Sequence, residues 1–174
     1  MTSADLDSRL VGYLTANRDF VDAAVAQAIA ALDLPVGGRV LDMGTGAGGA
    51  IPHLANAVGP SGQVLAIDLN PAVADLAAAH AASHDVAKRV TVQAGDATGM
   101  LTEEAFDAIW SNDVIWPGNF DDPAAVVAQM ARAVRPGGRR GAVPQQLLPG
   151  DVPARSLTAG AAAARGVPAA MEPA

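Results

Sequence analysis

A glycine run and four polar positions carry the chemistry legible in this chain. Residues 40–49 read VLDMGTGAGG, so Asp42 stands just ahead of glycines at 44, 46, 48 and 49. Further polar groups recur downstream at Asp68, Asp96 and the run Ser111-Asn112-Asp113. Closely spaced glycines let the backbone turn sharply and let a ligand lie directly against the main chain. Asp68, 20 residues beyond Gly48, is placed to accept hydrogen bonds from both hydroxyls of a ribose. Together these groups suit a ligand that contains an adenosine.

The elements that must position these groups follow from apolar periodicity and turn residues. The spacing in residues 18–33 predicts a helix with Phe20, Val21, Ala24, Val25, Ala28, Ile29 and Leu32 on one face. Leu34-Pro35 ends it and Gly37-Gly38 turns the chain. Strands are expected at Arg39–Met43, Gln63–Ile67, Arg89–Gln93 and Phe106–Trp110. Helices are expected at Gly48–Val58, from Pro71 to about Ser83, and at Pro123–Val134. This alternation, with short connections, predicts the α/β class with a parallel, doubly wound sheet and flanking helices. In such a sheet a ligand lies beyond the carboxyl ends of the strands. Asp42, Asp68, Asp96 and Asn112/Asp113 each fall at such an end.

The glycines can be counted in two ways. Gly44, Gly46 and Gly49 spell the G-x-G-x-x-G of dinucleotide binders, whereas Asp42, Gly44, Gly46 and Gly48 spell the D-x-G-x-G-x-G of S-adenosylmethionine (AdoMet) enzymes. Asp42 separates the two. A carboxylate beside a pyrophosphate adds like-charge repulsion, whereas AdoMet carries a cationic sulfonium and a cationic ammonium. The loop therefore favours AdoMet over NAD(P), and an oxidoreductase is the weaker reading.

Five segments in order, VLDMGTGAGG, AIDLNP, QAGDAT, FDAIWSNDVIW and VRPGG, resemble the successive motifs of class I AdoMet-dependent methyltransferases over residues 36–138. The resemblance implies a Rossmann-like fold and residue roles. Asp42, Gly44, Gly46 and Gly48 would line the methionine and ribose portions of AdoMet. Asp68 would hold the ribose hydroxyls, and Leu69 would pack on the adenine. Asp96, with the backbone of Ala97, would face the adenine amino group. Ser111 and Asn112 would lie below the sulfonium, where the acceptor enters, with Asp113 as the candidate base. The segment SNDVIWPG lacks the Asn-Pro-Pro-Tyr of members that methylate amide or base nitrogens, which points to a small-molecule acceptor. Of the aromatic residues there, Trp110 reads as core and Trp116 is open between core and pocket wall. His53, His80 and His84 read as surface or packing residues.

Composition bounds the partners. The chain has 174 residues, 51% of them hydrophobic, and no cysteine, which excludes disulfides, thiolate catalysis and thiolate metal sites; no metal is expected. The formal charge of −7 argues against nucleic acid as partner. No apolar run reaches the length of a membrane helix, and the acidic start is not that of a secretion signal, so a cytoplasmic protein is expected.

The family pattern has seven strands, and here only four are expected. Residues 1–138 hold 7 Lys/Arg against 16 Asp/Glu, a net −9, whereas residues 139–174 hold 4 against 2, a net +2. The latter segment is rich in proline, glycine and alanine. The chain thus divides into a helical segment (1–35), an AdoMet-binding core (36–138) and an irregular tail (139–174), as a truncation or frame shift would leave it. On this reading the fourth strand is an exposed edge that invites self-association. Loss of the acceptor half would leave an inactive enzyme or a non-catalytic AdoMet-binding module.

Overall fold

The computed structural model describes residues 3–143, with side chains over residues 9–139. Five parallel strands form one sheet in the order β3-β2-β1-β4-β5. They are β1 (Arg39–Met43), β2 (Gln63–Asp68), β3 (Val90–Ala94), β4 (Phe106–Asn112) and β5 (Val134–Val143). The helices are α1 (Ser3–Ala31), α2 (Ile51–Ala57), α3 (Pro71–Ser83) and α4 (Pro123–Ala133). The α/β class and the parallel sheet are as the alternating pattern predicts.

Alternation along the buried strands sorts the core into two layers. Val40, Val64, Ala108 and Trp110 pack with residues of α1, α2 and α3 on one face of the sheet. Leu41, Met43, Ile67 and Ile109 pack with Val126, Met130 and Ala133 of α4 on the other. Trp110 is core, as its place in an apolar strand suggests. Asn70 and Asp122 start α3 and α4 by accepting the backbone N–H of Ala72 (2.9 Å) and Ala125 (3.0 Å), and a proline follows each as the first helical residue.

Two expectations are corrected at the ends of the described chain. The first is the sheet edge. A fifth strand pairs in parallel with β4, from Val134 opposite Phe106 to Val143 opposite Asn112. β4 is therefore interior, its Phe106, Ile109 and Trp110 are all buried, and self-association through an exposed β4 does not apply. Residues 139–143 of the expected tail belong to this strand; residues 144–174 lie outside the described residues.

The strand escapes a reading based on apolar runs because backbone pairing defines it. Its register slips between Phe106 and Ala108, so Arg135–Gly138 loops out and Pro136 has no ladder bond to lose. Gly138 sits so close to the carbonyl oxygen of Asp107 that a Cβ there would stand 2.5 Å from it. The Pro-Gly-Gly is thus a built bulge.

The second correction concerns α1, which begins at Ser3 rather than near residue 18. Val21, Val25, Ile29 and Leu32 are buried as expected, but Phe20 is 83% exposed. It precedes Val21 by one residue, about 100° around the helix, which carries it off the packed stripe. No described helix is long and apolar enough to cross a membrane.

Asp107 joins three strands. Its Oδ2 accepts the Arg39 N–H at the start of β1 (2.8 Å), and its Oδ1 accepts from Arg135 of β5 (2.7 Å). Partial burial works against the charged form, but these bonds and the guanidinium charge outweigh it and hold the Asp107 carboxyl below its usual range. A depressed folded-state pKa adds stability above the unfolded value, and that stability is lost as pH falls through the folded value. Asp107→Ala is expected to cost about 1 kcal/mol at pH 7. Urea melts should show the gap from wild type closing below about pH 4; a gap independent of pH contradicts this role.

Candidate functional site

From β1 the chain steps to β2 and β3 on one side, then returns to β4 on the other. The carboxyl ends of β1 and β4 thus open a crevice at the point where strand order reverses. A cavity of about 580 Å³ lies there. It is lined by the loop after β1, the ends of β2 and β4, the segment after β3, and one side of α1.

The glycine loop is fixed to its neighbour by backbone bonds. Gly44 and Thr45 both donate to the carbonyl of Ile67, at 2.9 and 3.0 Å. Asp68 is held from two directions: Oδ2 accepts the Gly46 N–H (3.0 Å) and Oδ1 that of Asn70 (3.0 Å). Each carboxylate oxygen keeps acceptor capacity for a hydroxyl, so Asp68 is oriented as a diol holder needs to be. Leu69 beside it is 75% exposed and lines the cavity, an uncovered apolar surface suited to the face of a base. Asp96 Oδ1 accepts from the N–H and hydroxyl of Thr98, at 2.8 and 2.7 Å. That leaves Asp96 Oδ2 for an amino group, next to buried Ala97.

Asp42 is 2% exposed and accepts a 2.6 Å bond from the Thr45 hydroxyl. Burial raises its pKa from 3.8 to about 7; the Thr45 bond opposes the shift and the charge of Asp68 adds to it. A buried acid in this state is stabilised as a carboxylate by a cationic ligand.

Asn112 and Asp113 line the cavity, but Ser111 does not. Ser111 is buried and donates to the Met43 carbonyl (3.2 Å), tying β4 to β1. Asp113 is exposed with φ +56, and this left-handed turn brings Val114 over the glycine loop. Gly44 leaves the room for it: a Cβ there would stand 2.3 Å from a Val114 methyl. Gly48 does not line the cavity either. At φ +80 its absent Cβ would lie 3.0 Å from the Ala77 Cα, so it lets α3 close on the loop. Gly46 alone of the three faces open space, its nearest neighbour being Leu14 at 4.0 Å.

Several lining residues escape the sequence reading, namely Tyr13, Leu14, Asn17 and Arg18 of α1, Thr45 in the loop, and Asn119 and Phe120 beyond β4. A signal for α1 existed: Leu14 continues the Val21, Val25, Ile29 stripe back by two turns. Trp116 is half-exposed and does not line the cavity. His53 meets Asp22 at 2.8 Å and the His80 and His84 rings lie tilted against each other, with centroids 4.3 Å apart; none of the three lines the cavity.

One observation tests AdoMet against this site. The Asn112 Oδ1 is buried with no hydrogen-bond partner among the described residues, a costly state unless a donor arrives. With pinned Asp68, exposed Leu69 and raised Asp42, it fits a ligand bearing a ribose, a base and cationic donors. The profile of a methyltransferase domain matches residues 40–138.

The chain belongs to the class I AdoMet-dependent methyltransferases.

A nocamycin O-methyltransferase of Saccharothrix syringae is 32% identical over 86% of this chain and 51% of its own length. A demethylmenaquinone methyltransferase of Lactobacillus johnsonii is 30% identical over 63% of this chain and 45% of its own. The chain thus spans about half the length of these relatives. Among solved structures, an AdoMet-dependent methyltransferase of Geobacter sulfurreducens, in complex with S-adenosylhomocysteine, superposes with a TM-score of 0.58 at 30% identity. That match covers 68% of this chain and 46% of the other. The family's cofactor is AdoMet.

Two predictions follow from the loop. Gly46→Ala carries only a left-handed residue's strain, about 1 kcal/mol, whereas Gly48→Ala adds a backbone clash with α3 and melts well below it. Equal melting temperatures for the two variants would contradict the packing role of Gly48. For Asp42 the sign is that of an acid with a raised folded-state pKa: the folded protein keeps a proton the unfolded chain has lost, so stability falls as pH rises from about 4 to about 7. Asp42→Asn removes this loss. The ligand-free variant should gain on wild type steadily across that interval and hold a constant lead above it, as pH-dependent melts will show; a flat difference refutes the buried-acid reading.

Proposed function

We propose that this chain binds AdoMet through Asp42, Gly44, Gly46, Asp68, Leu69, Asp96, Ala97 and Asn112 and transfers its methyl group to a small-molecule acceptor. The observation that carries the reading is the doubly anchored Asp68 carboxylate at a cavity lined also by the glycine loop, Leu69 and Asn112. Bound AdoMet supplies a methyl group activated by positive sulfur. The protein's own task is therefore alignment and exclusion of water. Asp68 fixes the ribose, Leu69 covers the base, and Asp42 and Asn112 face the cationic end. Ser111 and Gly48 act one layer back, setting the β1–β4 and loop–α3 contacts that hold these groups.

A small acceptor is supported by several features together. The cavity is of small-molecule size, and Leu14, Val114 and Phe120 give it apolar surface beyond the glycine loop. The net negative charge disfavours a nucleic acid, and the relative acting on nocamycin is consistent with such an acceptor. Asp113, exposed at the cavity, is the group in place to take a proton from an acceptor hydroxyl.

Calorimetric titration with AdoMet, S-adenosylhomocysteine and NAD tests the cofactor. Binding of both adenosyl compounds and not NAD is expected, and NAD binding alone would falsify the assignment. Incubation with methyl-tritiated AdoMet and a panel of phenolic and quinol compounds, beside bulk RNA and protein, tests the acceptor. Label is expected in the small-molecule fraction. Label confined to macromolecules overturns that part, and cofactor binding with no transfer to any class favours the non-catalytic module.

A further inference from the structure

The chain has three histidines and no cysteine, so imidazole is its natural ligand for a transition metal. His53 is taken, its Nε2 meeting Asp22 at 2.8 Å. The other two stand four residues apart at the end of α3, His80 in the last turn and His84 as the residue that caps it. Residues at that spacing lie on one helical face. Here the rings meet with centroids 4.3 Å apart and planes at 59°. His84 is exposed and His80 half-buried, so both can be reached from solvent.

The ring separation has a chemical meaning. An imidazole nitrogen bound to a metal ion at about 2.0 Å places its ring centre about 3.2 Å from the ion, and two such rings at a right angle lie about 4.5 Å apart. The His80–His84 pair is close to that spacing without any ion to draw it together. The tautomer of His84 is also set. Its Nδ1 lies 3.0 Å from the His80 carbonyl oxygen, which can only accept, so Nδ1 carries the proton and Nε2 keeps its lone pair. The Ser83 hydroxyl donates to the same carbonyl at 2.8 Å, and its oxygen lies 3.1 Å from Nδ1. A ring that gives one N–H to a backbone carbonyl and offers its other nitrogen is in the state of a metal-bound histidine.

The surroundings favour a cation at this place. The carbonyl end of a 13-residue helix carries partial negative charge. Burial, then the charges of Arg18 and His84, lower the His80 pKa against the opposing charges of Asp19 and Asp22, and the neutral ring is the one that ligates. Among the described residues no three His, Asp or Glu side chains group to hold a metal, so water completes the coordination.

We propose that His80 and His84 form a two-imidazole site for a divalent transition metal ion, which clamps the end of α3. The site lies outside the cofactor cavity and does not rest on the cofactor reading. Ala77, which Gly48 meets, lies one turn before His80, so the clamp stiffens the helix that backs the glycine loop.

The test titrates tag-free protein with nickel(II), zinc(II) and magnesium(II) chlorides at pH 7.5 in a calorimeter. Nickel and zinc should bind wild type one to one, and magnesium, which prefers oxygen ligands, should not. His80→Gln and His84→Gln should each weaken nickel binding by roughly tenfold or more, with His53→Gln changed by no more than about twofold. No binding by wild type overturns the proposal, as does full binding by either variant of the pair or an equal loss in His53→Gln. Copper(II) added to nitrogen-15-labelled wild type supplies a readout that needs no variant. Its paramagnetic broadening should strike the amides of residues 80–86 first; broadening centred elsewhere places the metal at another site and overturns this one.

Discussion

β1 has a parallel neighbour on each side, and the chain leaves it in one direction and comes back in the other. Everything in the site depends on that constraint. The connections that cross away from β1 toward β2 and back toward β4 diverge above its carboxyl end, so a crevice must open there. The strand beneath is fully buried from Val40 to Met43, which gives the crevice a rigid floor. Its loop is then fastened sideways, by the Ile67 carbonyl and the Asp68 carboxylate on β2 and by Val114 beyond β4. The cofactor cradle is a seam between three strands more than it is a property of ten residues.

That seam concentrates negative charge where water is scarce. Asp42 lies almost wholly out of solvent with one hydroxyl for company, and the ligand-free protein holds it partly protonated near neutrality. Such an acid is a poor structural element and a good counterion for a cation that arrives later. Asn112 shows the same economy, presenting a buried oxygen that nothing in the described protein satisfies. Groups of this kind destabilise the empty fold and are stabilised by the ligand, which is why they sit together. Arg18 of α1 is the one basic side chain among the described residues that line the cavity.

The division of labour among the glycines bears on how such motifs are read. Gly44 accommodates the segment after β4, Gly48 accommodates α3, and Gly46 faces the cavity while its N–H anchors Asp68. Two of the three D-x-G-x-G-x-G glycines thus serve packing between elements that lie far apart in the chain. The spacing of these glycines is set as much by contacts between elements as by any ligand.

Much of this was legible in the residues. Apolar runs bounded by Gly and Pro located four strands to within a residue or two, and Pro71 and Pro123 marked two helix starts, because periodicity and turn chemistry act over a few residues. Asp42, with its charge, separated AdoMet from a dinucleotide by the same local logic. Other features needed the tertiary structure. β5 carries few large apolar side chains and is recruited by the β4 backbone, by Arg135 on Asp107 and by a glycine that fits under a carbonyl. The reach of α1 over the loop, the burial that raises Asp42, the retreat of Ser111 and Gly48 from the cavity, and the position of Arg18 all arise from contacts between residues about 30 to 70 positions apart. Sequence by itself determined which segments become strands and which ligand class their ends can hold. Only the folded chain decided which side chains reach that ligand, because reach depends on what packs behind each one.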